Sequence, residues 1–361
     1  MRAVIVSIIF LIISFRTVAS LDDSLPKGTS SRFLIFPFII RSPETNWGFG
    51  GAAAFFFKAA KENEELRTSD VNLLSLYTTR KQTVIVLGST IFFPGEKQIF
   101  RFQGSYSYYP DKFWGLGNHS PESAKESYSL KQYFLNPQFI IKFYKKLFVG
   151  ISLEGQRISN FTYDHGGVFD SQNISGIRGG HTFGVGLLLT FDTRNNAYSP
   201  NAGAFFEINA TRFDEKFGSD FNFTSYLFDW RKFLSIGRNT VIGFQSVARF
   251  NDGNVPLRNL SMLGGTEMMR GYYKGRFTDK NLIAFQSEIR RYLFWRLGIV
   301  AFASAGQVGG KMKELRVDDF HYAFGTGLRI VMHEKEKVNL RVDIGFGNES
   351  NGIYVILKEA F

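Results

Sequence analysis

The residues with the most chemistry in them lie in the run Leu263 to Phe277, LGGTEMMRGYYKGRF, which places an Arg-Gly-aromatic step, Arg270-Gly271-Tyr272, in the longest gap between alternating segments. A guanidinium carries five N–H donors in a rigid fork and no acceptor. Drawn out of water it needs a carboxylate or several carbonyls, and breaking such a buried pair costs about 3 to 5 kcal/mol. Glu288 is the candidate partner, because in Leu282 to Arg290 (LIAFQSEIR) it shares the polar face with Ala284 and Gln286, opposite Ile283, Phe285 and Ile289. An exposed Arg270 binding lipopolysaccharide phosphates is the competing reading. Signs of catalysis are weaker. His119, His165, His181, His321 and His333 have no helical metal spacing, and no Gly-x-Ser-x-Gly elbow occurs. Gly115-Leu116-Gly117 and Gly184-Val185-Gly186 do not join a strand to a helix, as a nucleotide loop must. With no Cys there is no thiol chemistry. The expectation is a protein without enzymatic activity, metal or cofactor.

The elements that must position these residues repeat with period two. In Lys337 to Phe346, Val338, Leu340, Val342, Ile344 and Phe346 oppose Lys337, Asn339, Arg341, Asp343 and Gly345. Ile99 to Tyr108 and Tyr322 to Ile330 divide in the same way. Strands are expected at 32–40, 47–58, 69–79, 82–92, 97–109, 128–144, 147–161, 181–192, 203–213, 220–233, 239–250, 282–293, 297–308, 321–332, 337–347 and 353–361, about sixteen in all. The even number suits a closed transmembrane barrel, and so does the alternation of tight turns with long loops. Pro94-Gly95-Glu96, Lys145-Lys146, Gly237-Arg238 and Glu334-Lys335-Glu336 are the turns; 110–127, 162–180, 251–281 and 309–320 are the loops. An aromatic share of 16% with 40 Phe, and no apolar run after the first fifteen residues long enough for a membrane helix, agree with one aromatic face per strand. A soluble sandwich would alternate similarly.

Met1 and Arg2, the apolar stretch Ala3 to Phe15, and Val18-Ala19-Ser20 read as a signal peptide over residues 1–20. Residues 21–31 then form a short extension and 32–361 the barrel domain. The net charge of +11 falls to +9 without Arg2 and Arg16, and its scatter over turns, loops and polar faces points to anionic lipid head groups rather than nucleic acid. Proline cannot donate to a ladder, so Pro37 in the first strand suggests either a bulge or a weak closing seam between 33–40 and 352–361, the segment that ends in Phe361.

The Leu263 to Arg290 region, Phe191 to Phe206 (FDTRNNAYSPNAGAFF), Phe33 to Gly50 (FLIFPFIIRSPETNWGFG) and Phe361 together resemble the BamA/TamA-type outer-membrane superfamily, the bacterial surface antigen family. The resemblance covers the whole expected mature chain. It implies a sixteen-stranded barrel in the bacterial outer membrane, with the long loop folded into the lumen and Arg270 held against the inner wall at Glu288. Relatives often place an Asp within Phe-x-Asp-Ala-Gly on the next strand. Here Phe302-Ala303-Ser304-Ala305-Gly306 has Ser304 instead, so a weakened anchoring site is expected. Assembly factors of the family carry periplasmic polypeptide-binding domains, for which 21–31 is too short. The implied role is outer-membrane protein or lipid assembly or transport. Its partners would be outer-membrane lipid and lipopolysaccharide, a separate periplasmic protein, or unfolded outer-membrane protein clients. The alternative is a passive porin-like channel made anion-favouring by Arg101, Arg249, Arg329 and Arg341. His181, near the expected rim, is the residue an outer-membrane phospholipase would recruit.

Overall fold

The structure is a computed structural model that describes residues 31–58, 68–196, 199–333, 338–357 and 359–361. The expected signal peptide, residues 21–30 of the extension and the turn Glu334-Lys335-Glu336 lie outside the described residues.

Alternation of large apolar with small or polar side chains gives each strand one face for lipid and one for the lumen. Sixteen such strands form the wall: β1 (Ser31–Ser42), β2 (Asn46–Phe57), β3 (Ser69–Thr78), β4 (Thr83–Phe92), β5 (Gln98–Tyr108), β6 (Glu126–Tyr144), β7 (Leu147–Tyr163), β8 (Gly180–Asp192), β9 (Gly203–Phe213), β10 (Phe223–Ile236), β11 (Thr240–Gly253), β12 (Asn281–Phe294), β13 (Leu297–Gly309), β14 (His321–His333), β15 (Val338–Gly347) and β16 (Ser350–Leu357). Each pairs antiparallel with its sequence neighbours, and β1 meets β16 to close the barrel. The outer face is apolar, with Phe33, Leu135, Leu187, Phe324 and Ile344 exposed, and the inner face holds the buried polar groups. No helix among the described residues is long and apolar enough to cross a membrane, which has no bearing on a barrel that crosses with strands.

Two prolines lie inside strands and are handled differently. Pro37 faces Gly51 in a β1–β2 register that runs unbroken from Ser31↔Phe57 to Ser42↔Asn46, so the expected bulge is not formed on that side. Pro137 faces Phe102 of β5, while toward β7 the pairs between Leu135↔Gly155 and Gln138↔Ser152 are missing although the register itself is kept. There the Asn136 side-chain amide donates to the Leu153 carbonyl at 2.9 Å, a bond from a side chain where proline has no N–H to give.

The last strand departs from expectation. β16 ends at Leu357, and Glu359, Ala360 and Phe361 are buried inside the lumen rather than set in the wall. Phe361 stacks on Phe233 of β10 at 5.8 Å between ring centres. Apolar packing and ion pairing both hold the chain end there. The Glu359 carboxylate accepts from Arg329 Nε and from Asn339 Nδ2, both at 2.7 Å. Phe361 therefore takes no part in the seam. Among the described residues, the register between β1 and β16 consists of the single pair Arg41↔Val355.

Candidate functional site: a lumenal loop plug

Residues 254–280, between β11 and β12, fold inward as a plug. A short hairpin pairs Ser261–Leu263 with Phe277–Asp279, and the tip turns back at Gly264, Gly265, Met269, Gly271 and Gly275, all with positive φ. Leu263, Met269, Tyr272 and Phe277 bury their side chains against Leu282, Ala284 and Val308 of the wall. This apolar packing positions Arg270.

Gly271 is required twice over. Its φ of +123° is one that side-chain-bearing residues rarely adopt, and a Cβ there would sit 2.6 Å from the Phe346 carbonyl carbon of β15. A Cβ on Gly345 would likewise meet the Arg270 carbonyl oxygen at 2.4 Å. The loop backbone thus lies directly on the backbone of β15, and two glycines make that approach possible. The Gly271 N–H donates to the Tyr354 hydroxyl at 2.8 Å, and the Gly271 carbonyl accepts from Ser350 Oγ at 2.9 Å. Tyr272 spans to the wall, its hydroxyl donating to the Tyr322 carbonyl at 3.1 Å and accepting from the Asn348 N–H at 2.8 Å.

Arg270 is 1% exposed and its guanidinium is clamped between two carboxylates. Nη2 donates to Glu288 Oε1, and Nη1 donates to Asp343 Oδ2 at 2.6 Å. The guanidinium stacks 3.6 Å above the Phe302 ring, which gives the cation an aromatic face where no further acceptor is present. Glu288 is shared with one further arginine and Asp343 with two. Arg290 Nε donates to Glu288 Oε2 at 2.8 Å, and Asp343 accepts from Arg329 at 2.5 Å and from Arg341 at 3.1 Å. Arg341 also donates to the Thr266 carbonyl of the plug at 2.6 Å. The result is a buried network that joins the plug to β12, β14 and β15.

Arg270, Gly271, Tyr272 and Glu288 are thus together in one place, while Pro37 lies elsewhere on β1. The expectation of a weakened anchor is corrected. Ser304 supplies only a long hydrogen bond to the Ala323 carbonyl, 3.4 Å, but Asp343 brings the second carboxylate from two strands further along. The sequence carried a signal for it, since Asp343 stands on the polar face of its strand. The supposed free arginines are also matched by acids: Arg101 pairs with Glu207 at 3.0 Å, Arg329 and Arg341 pair with Asp343, and Glu154 is the carboxylate that acts on Arg249. His181 sits 3.0 Å from Asp220 on an exposed loop.

The far side of the plug is pinned to a second loop, residues 109–125. The Gly117 N–H donates to the Thr278 carbonyl at 2.9 Å, Arg276 donates to the Ser120 carbonyl at 2.9 Å, and Tyr273 donates to Asp111 Oδ1 at 2.9 Å. Burial pushes the Asp111 carboxyl above its ordinary value against the opposing pull of Arg258, and burial likewise raises the Tyr273 phenol. The Lys274 N–H reaches the Glu44 carboxylate of the β1–β2 hairpin at 2.7 Å. The plug therefore spans the lumen from β12 and β15 to the loop between β5 and β6, while the β1–β2 hairpin it also touches lies only two strands from β15 around the closed barrel.

Residues 92–346 match the Omp85 superfamily domain. The fold is similar to three solved structures. BamA from Haemophilus ducreyi lacking POTRA domains 1-3 is 12% identical with a TM-score of 0.58, over 91% of this chain and 70% of that one. CdiB from Escherichia coli is 12% identical with a TM-score of 0.59, over 92% of this chain and 64% of that one. CdiB from Acinetobacter baumannii is 13% identical with a TM-score of 0.56, over 92% of this chain and 60% of that one. No curated protein sequence matches the chain. An alternating sixteen-strand wall, an inward loop whose Arg-Gly-Tyr step is locked to it, and the matched domain agree: the chain belongs to the Omp85 superfamily of bacterial outer-membrane β-barrels.

Proposed function

We propose that this barrel serves outer-membrane protein or lipid assembly or transport, acting on its clients at the β1–β16 seam without enzymatic chemistry of its own. One observation carries this reading. Arg41↔Val355 is the single register pair across the seam among the described residues, whereas β1 and β2 are in register along their whole length. A closed barrel derives its stability in the bilayer from inter-strand hydrogen bonds, so a thinly joined pair is where it opens at least cost.

Two features favour this over the porin-like reading. The plug spans the lumen from β15 to the loop between β5 and β6, and the arginines that would have drawn anions are engaged by acids: Arg101 by Glu207, Arg329 and Arg341 by Asp343, and Arg249 by the charge of Glu154. The partners that fit are outer-membrane lipid and lipopolysaccharide, unfolded outer-membrane protein clients, and a separate periplasmic protein that delivers them. Deletion followed by quantification of outer-membrane proteins and lipids tests the reading. A fall in either is expected, and unchanged levels would contradict it.

A further inference from the structure

The short-turn end of the barrel carries charge that nothing nearby matches. Segments 142–146, 232–239 and 291–296, around the β6–β7, β10–β11 and β12–β13 turns, hold seven Lys or Arg and no Asp or Glu. The other four short connections at this end are neutral: 58–67 has three charges of each sign, 94–97 and 192–196 have one of each, and 334–337 has two of each. The acids of the chain end do not offset the excess, since Glu359 bonds to Arg329 and the Phe361 terminus to Arg290 inside the lumen. Lys142, Lys145, Lys146, Arg238 and Arg291 are exposed, and no carboxylate among the described residues pairs with any of them. On the long loops of the opposite end cations do meet acids: Arg212 pairs with Asp214, Arg258 with Asp111, and both Lys125 and Arg276 with Glu122.

Beside these cations the lipid face is crowded with large apolar side chains. In two of the hairpins the register slips at the same place, between Lys142↔Phe148 and Tyr144↔Leu147 and between Tyr292↔Gly298 and Phe294↔Leu297. The inserted residue brings two consecutive side chains to one face. Leu147 and Leu297 alternate in step with the lipid-facing Ile151 and Ile299, so Phe143 with Tyr144, and Leu293 with Phe294, stand together on the lipid side. Trp295 follows at the turn, 72% exposed and with a φ of +51° that a bulky residue rarely adopts. Lys145 holds the equivalent place beside Tyr144, its ammonium 5.1 Å from the ring centre. Lys232 and Arg291 lie on the lipid face in step with Trp230 and Ile289, where their long stems carry the charge to the membrane surface. We propose that these three hairpins form a binding face for anionic phospholipid in the leaflet at the short-turn end. The aromatic rings sit at head-group level, as they do in barrels generally, and the unmatched Lys and Arg select phosphates without a compensating ammonium. An acidic segment of a soluble protein would meet the charges but leave the paired lipid-side rings without a role. The face spans β6 to β13, away from the β1–β16 seam, and rests on the barrel's place in the membrane rather than on its part in assembly. The two proposals can therefore fail separately.

The test uses Trp295 as the reporter in the whole barrel, reconstituted in phosphatidylcholine bilayers. A minor fraction of either phosphatidylglycerol or phosphatidylcholine carries bromine on its acyl chain, and the quenching lost on Trp295→Phe is the share that belongs to the tip. At low salt that share should be at least threefold larger with brominated phosphatidylglycerol than with brominated phosphatidylcholine at equal mole fraction. In about 1 M salt, where the screening length falls to about 3 Å, the difference should vanish. Lys145→Gln with Lys146→Gln and Arg238→Gln should abolish it at low salt while the barrel still migrates as folded before heating. Lys311→Gln with Lys313→Gln, exposed on the loop between β13 and β14, should leave it unchanged. Equal quenching by the two lipids in the wild type would overturn the proposal and leave the cations to a soluble acidic partner. A preference that survives high salt or the triple variant, or one lost with Lys311 and Lys313, would overturn it as well.

Discussion

Arg270 is the residue on which the plug turns. It contacts Glu288, Asp343 and Phe302 in a site closed to water, so Arg270→Ala leaves two buried carboxylates short of a cation and is expected to cost about 3 to 5 kcal/mol. The proper control is Arg212→Ala, whose partner Asp214 lies on an exposed loop and whose loss should cost about 0 to 1 kcal/mol. Arg258 would be a poor control despite its place in the same long loop, because it donates to Gln132 and Tyr128 and stands beside Asp111. The measurement is the temperature at which the folded gel mobility is lost. Equal shifts for Arg270→Ala and Arg212→Ala would remove the anchor from the account. By the same measure Asp343→Asn should fall well below Ser304→Ala, whose one hydrogen bond is long. Glu288 was legible in the sequence because alternation fixes which way a side chain points. Asp343 also points inward on that rule, but its height relative to Arg270 depends on how the strands are staggered around the barrel, which no local pattern records.

At the scale of elements, the plug is fastened at both ends, and the outer fastening responds to pH. The Asp111 carboxyl is raised by burial, so the docked loop holds a proton more tightly than the undocked one does. The free energy of docking therefore improves as pH falls through the raised value toward about 3.9, the ordinary Asp value, and is lost again as pH rises. Hydrogen exchange of residues 109–125 should show protection increasing with acid in the wild type. Asp111→Asn, which keeps acceptor capacity toward Tyr273 without the charge, should flatten that dependence, and an unchanged slope would show that another group controls docking. Strand positions were largely readable, since lipid outside and polar lumen inside impose a period of two everywhere. The reading failed at the end of β16, where alternation continues through Phe361 on paper. There the ion pair of Glu359 with Arg329 and the packing of Phe361 on Phe233 hold the chain end inside the lumen, contacts with residues thirty or more positions away.

For the molecule as a whole, the bridging plug and the thin seam make different statements about traffic. A bridged lumen predicts bilayer recordings that are mostly silent, and removal of residues 264–276 should produce steady conductance; steady conductance of the intact barrel would favour the porin-like reading instead. The seam predicts that function depends on β1 and β16 separating. The chain has no Cys, so Arg41→Cys with Val355→Cys places one thiol pair at the facing positions that join the two strands. The decisive measurement is the level of outer-membrane proteins and lipids in cells whose only copy is this double variant, with the disulfide formed and then reduced. The account predicts levels as low as in the deletion when the seam is locked, and recovery on reduction. A locked barrel that supports wild-type levels, where the deletion does not, would contradict it.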